Sequence, residues 1–232
     1  MGEEKQAARR VNNAKAMRQR RVRLKHLMIR SFIGIMAFIV GITVGWFLRG
    51  TTIRKAVDFN QIKVPEWVDQ QLITVNPYSR PGDKLGIINN IVIHYIGNPG
   101  TTAQQNRDYF DGLKNQSGSN TVSVSSNFVI GMDGEIIQCV PIDEIAYASN
   151  DRNSDTISIE NCHPKADGEF TEETYDSLVK LTAWLCKELN LGPKDVIRHF
   201  DVTGKACPRT FSEDEAQWKQ FRKDVKKALA KL

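Results

Sequence analysis

The sequence predicts an α/β domain, a mixed central β-sheet flanked by helices, behind a single N-terminal transmembrane helix. Three observations predict it. Strand-like runs of β-branched residues are interspersed with amphipathic helical stretches, without the regular alternation of a purely parallel βαβ series. Met132-Asp133-Gly134 lies between two such runs and signals a hairpin, which requires at least one antiparallel pair. Near the N-terminus, residues 31–48 (SFIGIMAFIVGITVGWFL) carry no charge. The 232 residues, 41% hydrophobic and 25% charged, suffice for one good-sized core plus an appendage.

Residues 1–30 hold ten Lys/Arg against Glu3 and Glu4, a balance of +8. The rest of the chain carries 22 basic and 25 acidic residues, or −3, so the overall +5 does not describe a nucleic-acid-binding domain. As a helix, residues 31–48 span roughly 27 Å, close to the hydrocarbon thickness of a bilayer. Arg30 and Arg49 bracket the run, its apolar residues surround the whole circumference, and Trp46 stands where interfacial aromatics belong. A cleaved signal peptide fits less well, because the basic segment is long and no A-x-A site follows Leu48. The expected organisation is a basic cytoplasmic tail (1–30), a membrane anchor (31–48), a stalk (49–69) and an exported domain (70–232), oriented by the positive charge before the span.

Within this frame, VPEWVDQQLI reads as a short helix opening at Pro65, and NPYSRPGDK as a loop. IINNIVIHYIG is a buried strand closed by Gly97, Asn98 and Pro99. Thr102 with Gln105 has capping-box spacing and starts a helix, followed by a polar loop over 115–125. NFVIGMDGEIIQCVP is the hairpin, and TISIENC alternates, Ile157 and Ile159 facing one way and Ser158, Glu160 and Cys162 the other. Thr171, with Glu172 and Glu173 behind it, caps an amphipathic helix ending near Gly192. VIR is a short strand. Ser212 with Glu215 is read as the cap of a last helix, whose Trp218, Phe221, Val225, Leu229 and Leu232 form an apolar stripe and whose lysines form a solvated face.

Of four histidines, His94 ends an apolar strand and His199 follows another, with Cys207 eight residues further on. Imidazole and thiolate suit Zn2+, and three protein ligands leave a tetrahedral position open to water. Singly, each has a plainer reading as a core or surface residue. His163 competes as a ligand but points away from Glu160 on strand parity, and His26 precedes the span. Four cysteines in an exported domain allow two disulfides, although Cys186, within a helical pattern, reads as a buried thiol.

The runs IVIHYIG, SNFVIGMDGEIIQCVP, TISIENC and VIRHFDVTGKACP, in that order, resemble the amidase domain shared by N-acetylmuramoyl-L-alanine amidases, phage amidase lysozymes and peptidoglycan recognition proteins. The resemblance spans roughly residues 70–212. It implies zinc ligands at His94, His199 and Cys207, a catalytic lysine at Lys205 and a functional glutamate at Glu160. It further implies zinc-dependent hydrolysis of the amide between N-acetylmuramic acid and L-alanine in peptidoglycan, here by a cell-membrane protein whose domain faces the wall. The sequence departs from the family at Ser126, Asn127 and Ala148, where relatives often carry tyrosine or histidine lining the substrate cleft.

Two other readings remain. Members of the resembled family that bind peptidoglycan without cutting it lack the cysteine ligand, whereas Cys207 is present. A structural zinc staple would use four, typically closely paired, protein ligands, whereas His94 and His199 lie more than a hundred residues apart.

Overall fold

A computed structural model describes residues 2–50 and 57–232, and, within the N-terminal helix, the side chains of residues 17–43 apart from 19 and 22. The chain divides into two compact units, Met1–Arg54 and Lys55–Leu232.

The described residues of the first unit form one continuous helix, α1 (Gly2–Gly50), so the basic residues extend the same helix as the apolar ones. Its stretch Arg23–Thr43 is long and apolar enough to cross a membrane by length and composition. No side is covered there; Phe32 and Phe38, for instance, are exposed. The side chains of Trp46 and Arg49, and stalk residues 51–56, lie outside the described residues.

The second unit is built on six strands: β1 (Asp69–Gln70), β2 (Asn90–Ile93), β3 (Phe128–Ile130), β4 (Ile136–Gln138), β5 (Thr156–Asn161) and β6 (Val196–Arg198). Their order is β1-β4-β3-β5-β2-β6, with β3–β4 the only antiparallel pair among the paired strands described. The mixed sheet is thus as predicted, and the hairpin supplies its antiparallel element. Gly134 makes that turn possible, because its φ of 82° is a left-handed conformation that side-chain-bearing residues resist.

Strand parity sends alternate side chains to two cores. Ile91, Ile93, Phe128, Ile130, Ile157 and Ile159 belong to a large cluster under α3 (Glu172–Glu188) and α6 (Glu215–Leu229). Val129, Ile137, Cys139 and Cys162 face the opposite way, packing with Ala103 and Phe110 of α2 (Ala103–Gly112). The caps at Thr102 and Thr171 form as predicted, the first as a full capping box with Gln105. After α3 the chain turns at Asn190, φ 53°, two residues before Gly192.

Three sequence expectations need correction. Pro65 opens a turn rather than a helix, and Asp69–Gln70 instead pair in parallel with Ile137–Gln138, because the open edge of β4 offers backbone partners that an isolated short helix lacks. Ser212 does not cap the last helix. It lies inside the short α5 (Arg209–Glu213), and the Asp214 carboxylate accepts the Ala216 and Gln217 N–H groups instead. Leu232 lies beyond the end of α6 and is exposed, so the stripe ends at Leu229.

The segment assigned to a stalk is also largely part of the domain. Val57, Phe59, Ile62, Val64 and Trp67 pack on the large cluster, and Trp67 meets Trp184 edge-on at 6.1 Å under the Lys180 ammonium.

Candidate metal centre

Parallel strands β2, β5 and β6 run side by side, and their registers pair Ile93 with both Ile159 and Arg198. His94, Glu160 and His199 each stand one residue further on, so the C-terminal edge of the sheet brings them together, as ligand sites in α/β sheets commonly are. The remaining member arrives by a loop. His199 opens α4 (His199–Thr203), Gly204 ends it in a left-handed turn (φ 76°), and the Phe200 N–H then donates to the Cys207 carbonyl at 2.9 Å. That closed loop returns Lys205 and Cys207 to the strand ends.

One nitrogen of His94, one of His199 and the Cys207 sulfur lie within 4.8 Å of one another. His94 Nδ1 is 3.9 Å from Cys207 Sγ, and the two imidazole centroids are 4.6 Å apart. All three side chains are buried. Burial, and then the charges of His199 and Lys205, hold His94 well below the usual histidine range; burial and Lys205 lower His199. Burial, with Glu160 beside it, pushes the Cys207 thiol up to about 12. Two neutral imidazoles and a thiol converging away from bulk water are a donor set suited to a borderline-soft cation, so the residues fit a metal ion.

Glu160 sits against this cluster, its Oε1 3.9 Å from His94 Nδ1 and its side chain 13% exposed. Its other oxygen, Oε2, is buried with no hydrogen-bond partner. Burial raises its pKa to about 7 against the opposing influence of Lys205. With His94 neutral, the two do not form an ion pair. The Lys205 side chain is exposed on the wall of a cleft of roughly 480 Å³ that His94, Glu160, His199 and Cys207 also line.

All five candidate residues predicted from sequence therefore meet in one place. His163 does not join them: its two ring nitrogens face the Lys165 and Ile96 carbonyls at 2.6 and 2.7 Å. His26 belongs to α1, in the other unit.

The disulfides that four cysteines would allow do not form. Cys139, Cys162, Cys186 and Cys207 are all free and buried. Cys186 lies in the large core while Cys139 and Cys162 lie in the core across the sheet, and Cys207 stands at the metal cluster.

Ser126 and Asn127 are not cleft residues either. Both are fully buried, knitting the start of β3 to β5: Ser126 Oγ donates to the Ser158 carbonyl at 3.0 Å, and Asn127 Oδ1 accepts the Ser158 N–H at 3.0 Å. Of the three departures only Ala148 lines the cleft. Sequence reasoning missed Tyr95, Tyr147, Asn150 and Asn153, which line it too. The available signal was the stretch Asn150-Asp151-Arg152-Asn153, turn-forming residues immediately before a strand.

Compared with known proteins, residues 84–210 match the sequence signature of N-acetylmuramoyl-L-alanine amidase. N-acetylmuramoyl-L-alanine amidase CwlL of Bacillus licheniformis is 35% identical over 178 residues, covering 70% of this chain and 47% of that protein. BlyA of Bacillus subtilis strain 168, another protein of that name, is 30% identical over 179 residues, covering 68% and 46%. The chain spans about half the length of these curated relatives. Among solved structures, the catalytic domain of XlyA superposes with a TM-score of 0.57 at 26% identity, covering 68% of this chain and 98% of that one. PlyL superposes at 0.58 with 23% identity, over 69% and 98%, a likeness of fold. With its signature covering more than half of the sequence, the chain belongs to the N-acetylmuramoyl-L-alanine amidase family.

Proposed function

We propose that this chain is a zinc-dependent N-acetylmuramoyl-L-alanine amidase, anchored in the cell membrane, that cuts the amide between muramic acid and L-alanine in peptidoglycan. The observation that carries this reading is the convergence of two neutral imidazoles and a thiol beside a carboxylate with one buried, unpartnered oxygen, in a chain of this family.

His94, His199 and Cys207 would hold the zinc. Bound there, zinc would polarise the scissile carbonyl and lower the pKa of the attacking water from about 15.7 towards 7. Glu160 would accept the proton of the attacking water and return it to the nitrogen of L-alanine as the C–N bond breaks. In the metal-free site burial raises its pKa to about 7, and zinc bound beside it would favour the carboxylate that accepts the proton. Lys205 presents its ammonium to the oxygen on which negative charge develops. The products are a free lactyl carboxylate on the muramic acid and a free amine on the peptide.

α1 is the membrane anchor in this reading, its basic residues holding the N-terminus in the cytoplasm and the domain outside, on the wall side. The full chain in detergent, incubated with purified sacculi, is expected to release stem peptides with new L-alanine amino termini, found by mass spectrometry. Retention on sacculi with no peptide freed would overturn the hydrolase and favour a non-catalytic peptidoglycan-binding module.

A further inference from the structure

Both imidazoles of the metal cluster set their Nε2 against one short loop. His94 Nε2 lies 3.3 Å from Ser149 Oγ, and His199 Nε2 lies 2.9 Å from Asn150 Oδ1. His94 turns its other nitrogen, Nδ1, towards Cys207 and Glu160. An amide oxygen only accepts hydrogen bonds, so His199 donates through Nε2–H and keeps its lone pair on Nδ1. A serine hydroxyl can accept as well, and allows the same tautomer at His94.

The loop is built to hold those two acceptors. Asn150 has a φ of 53°, a left-handed conformation that asparagine tolerates better than most residues bearing a side chain. Asn153 Oδ1 accepts the Ser149 N–H at 2.6 Å and the Ala148 N–H at 3.1 Å, pinning the backbone on one side. On the other side Arg152 pairs with Asp155 at 2.8 Å and donates to Asn90 Oδ1 at 2.6 Å, tying the loop to the sheet. Asn150 and Asn153 line the cleft.

We propose that Ser149 and Asn150 are positioning residues that fix the tautomer and aim of both imidazoles, with Asn150, the closer partner, dominant. This rests on the metal site described under Proposed function. Partners of this kind hold a ligating ring in orientation, and their loss typically costs about 10- to 100-fold in metal affinity.

The test measures zinc affinity of the full chain in detergent by competition with a chromophoric chelator, alongside 15N NMR of the zinc-free imidazoles. Asn150→Gly accepts the positive φ yet removes the amide. It is expected to weaken zinc binding by about 10- to 100-fold and to reduce the Nε2–H tautomer at His199. Asn150→Asp, which keeps an acceptor oxygen, is expected to restore affinity to within a few-fold of wild type, and Ser149→Ala to lose less than Asn150→Gly. Unchanged zinc affinity and tautomer in both Asn150→Gly and Ser149→Ala would overturn the proposal, leaving the loop as cleft wall alone. A wild-type chain that takes up no zinc would overturn the metal site itself and this inference with it, an outcome separable from the first because the variants are then not needed to see it.

Discussion

Two glutamates in the same domain, both with little solvent exposure, behave in opposite ways. Glu144 is met by cations on both oxygens: Arg80 Nε at 2.7 Å on one, Arg80 Nη2 and Lys84 Nζ at 3.2 Å on the other. The Arg80 hydrogen bond, opposed by burial and helped by Lys84, holds its pKa below the ordinary value. Glu160 has one oxygen near a neutral imidazole and one with no partner, and burial pushes it up to about 7. The corner around Glu144 spends its charges on stability. The cleft around Glu160 leaves polar capacity unspent, and a group left so is available to a substrate or a proton.

That contrast can be broken at several points. The largest effect is expected at the ligands: His94→Ala or Cys207→Ser should abolish peptide release and zinc uptake while the circular dichroism of the fold persists, and wild-type turnover in either would refute their role. Next, Glu160→Ala should lower turnover by about 10²- to 10⁴-fold with zinc still bound. Loss of the metal in that variant would mean that Glu160 is a ligand rather than a base. Lys205→Ala should cost about 10²- to 10³-fold in kcat, as removal of an oxyanion partner does, with zinc affinity little changed.

The smallest effects test the comparison itself, through stability. Glu144→Gln should destabilise the chain by about 1–3 kcal/mol and leave turnover near wild type. A carboxyl whose folded pKa is depressed contributes stability above its unfolded pKa and loses it as pH falls through the folded value, so the wild type should lose this advantage in acid and the variant should not. Glu160 has the opposite sign: its raised pKa costs stability as pH climbs from about 4.5 to about 7. Glu160→Gln should therefore stabilise the zinc-free chain at pH 8, by on the order of 1–3 kcal/mol. Thermal melts that move both variants in the same direction would show that the two carboxyls do not differ as described.

The sequence made legible those parts whose cause is local. The capping box at Thr102, the turn at Gly134 and the alternation of TISIENC each rest on a few neighbouring residues, and each forms. Of the site, His94 and His199 were legible because each follows an apolar run and parallel pairing aligns them, whereas Glu160 and Lys205 were indicated only by the family resemblance. What failed depended on distant partners. Asp69–Gln70 became a strand because β4 had a free edge, 57–68 joined the domain because Trp184 and its neighbours had apolar surface to cover, and Ser126 and Asn127 went inside because Ser158 could satisfy them. Asp214 displaced Ser212 as a cap because a separate short helix at 209–213 consumed the serine. The outer partners Ser149 and Asn150 left no trace in spacing, since a hydrogen bond across about fifty residues has no local pattern.

In the proposed site two imidazole nitrogens and one thiolate share a single zinc with a position left open. X-ray absorption at the zinc edge of the full chain tests it most directly. One zinc per chain is expected, with one sulfur at about 2.3 Å, two nitrogens at about 2.0–2.1 Å and one further light atom. A spectrum with no sulfur, or one loaded equally well into Cys207→Ser, would contradict it.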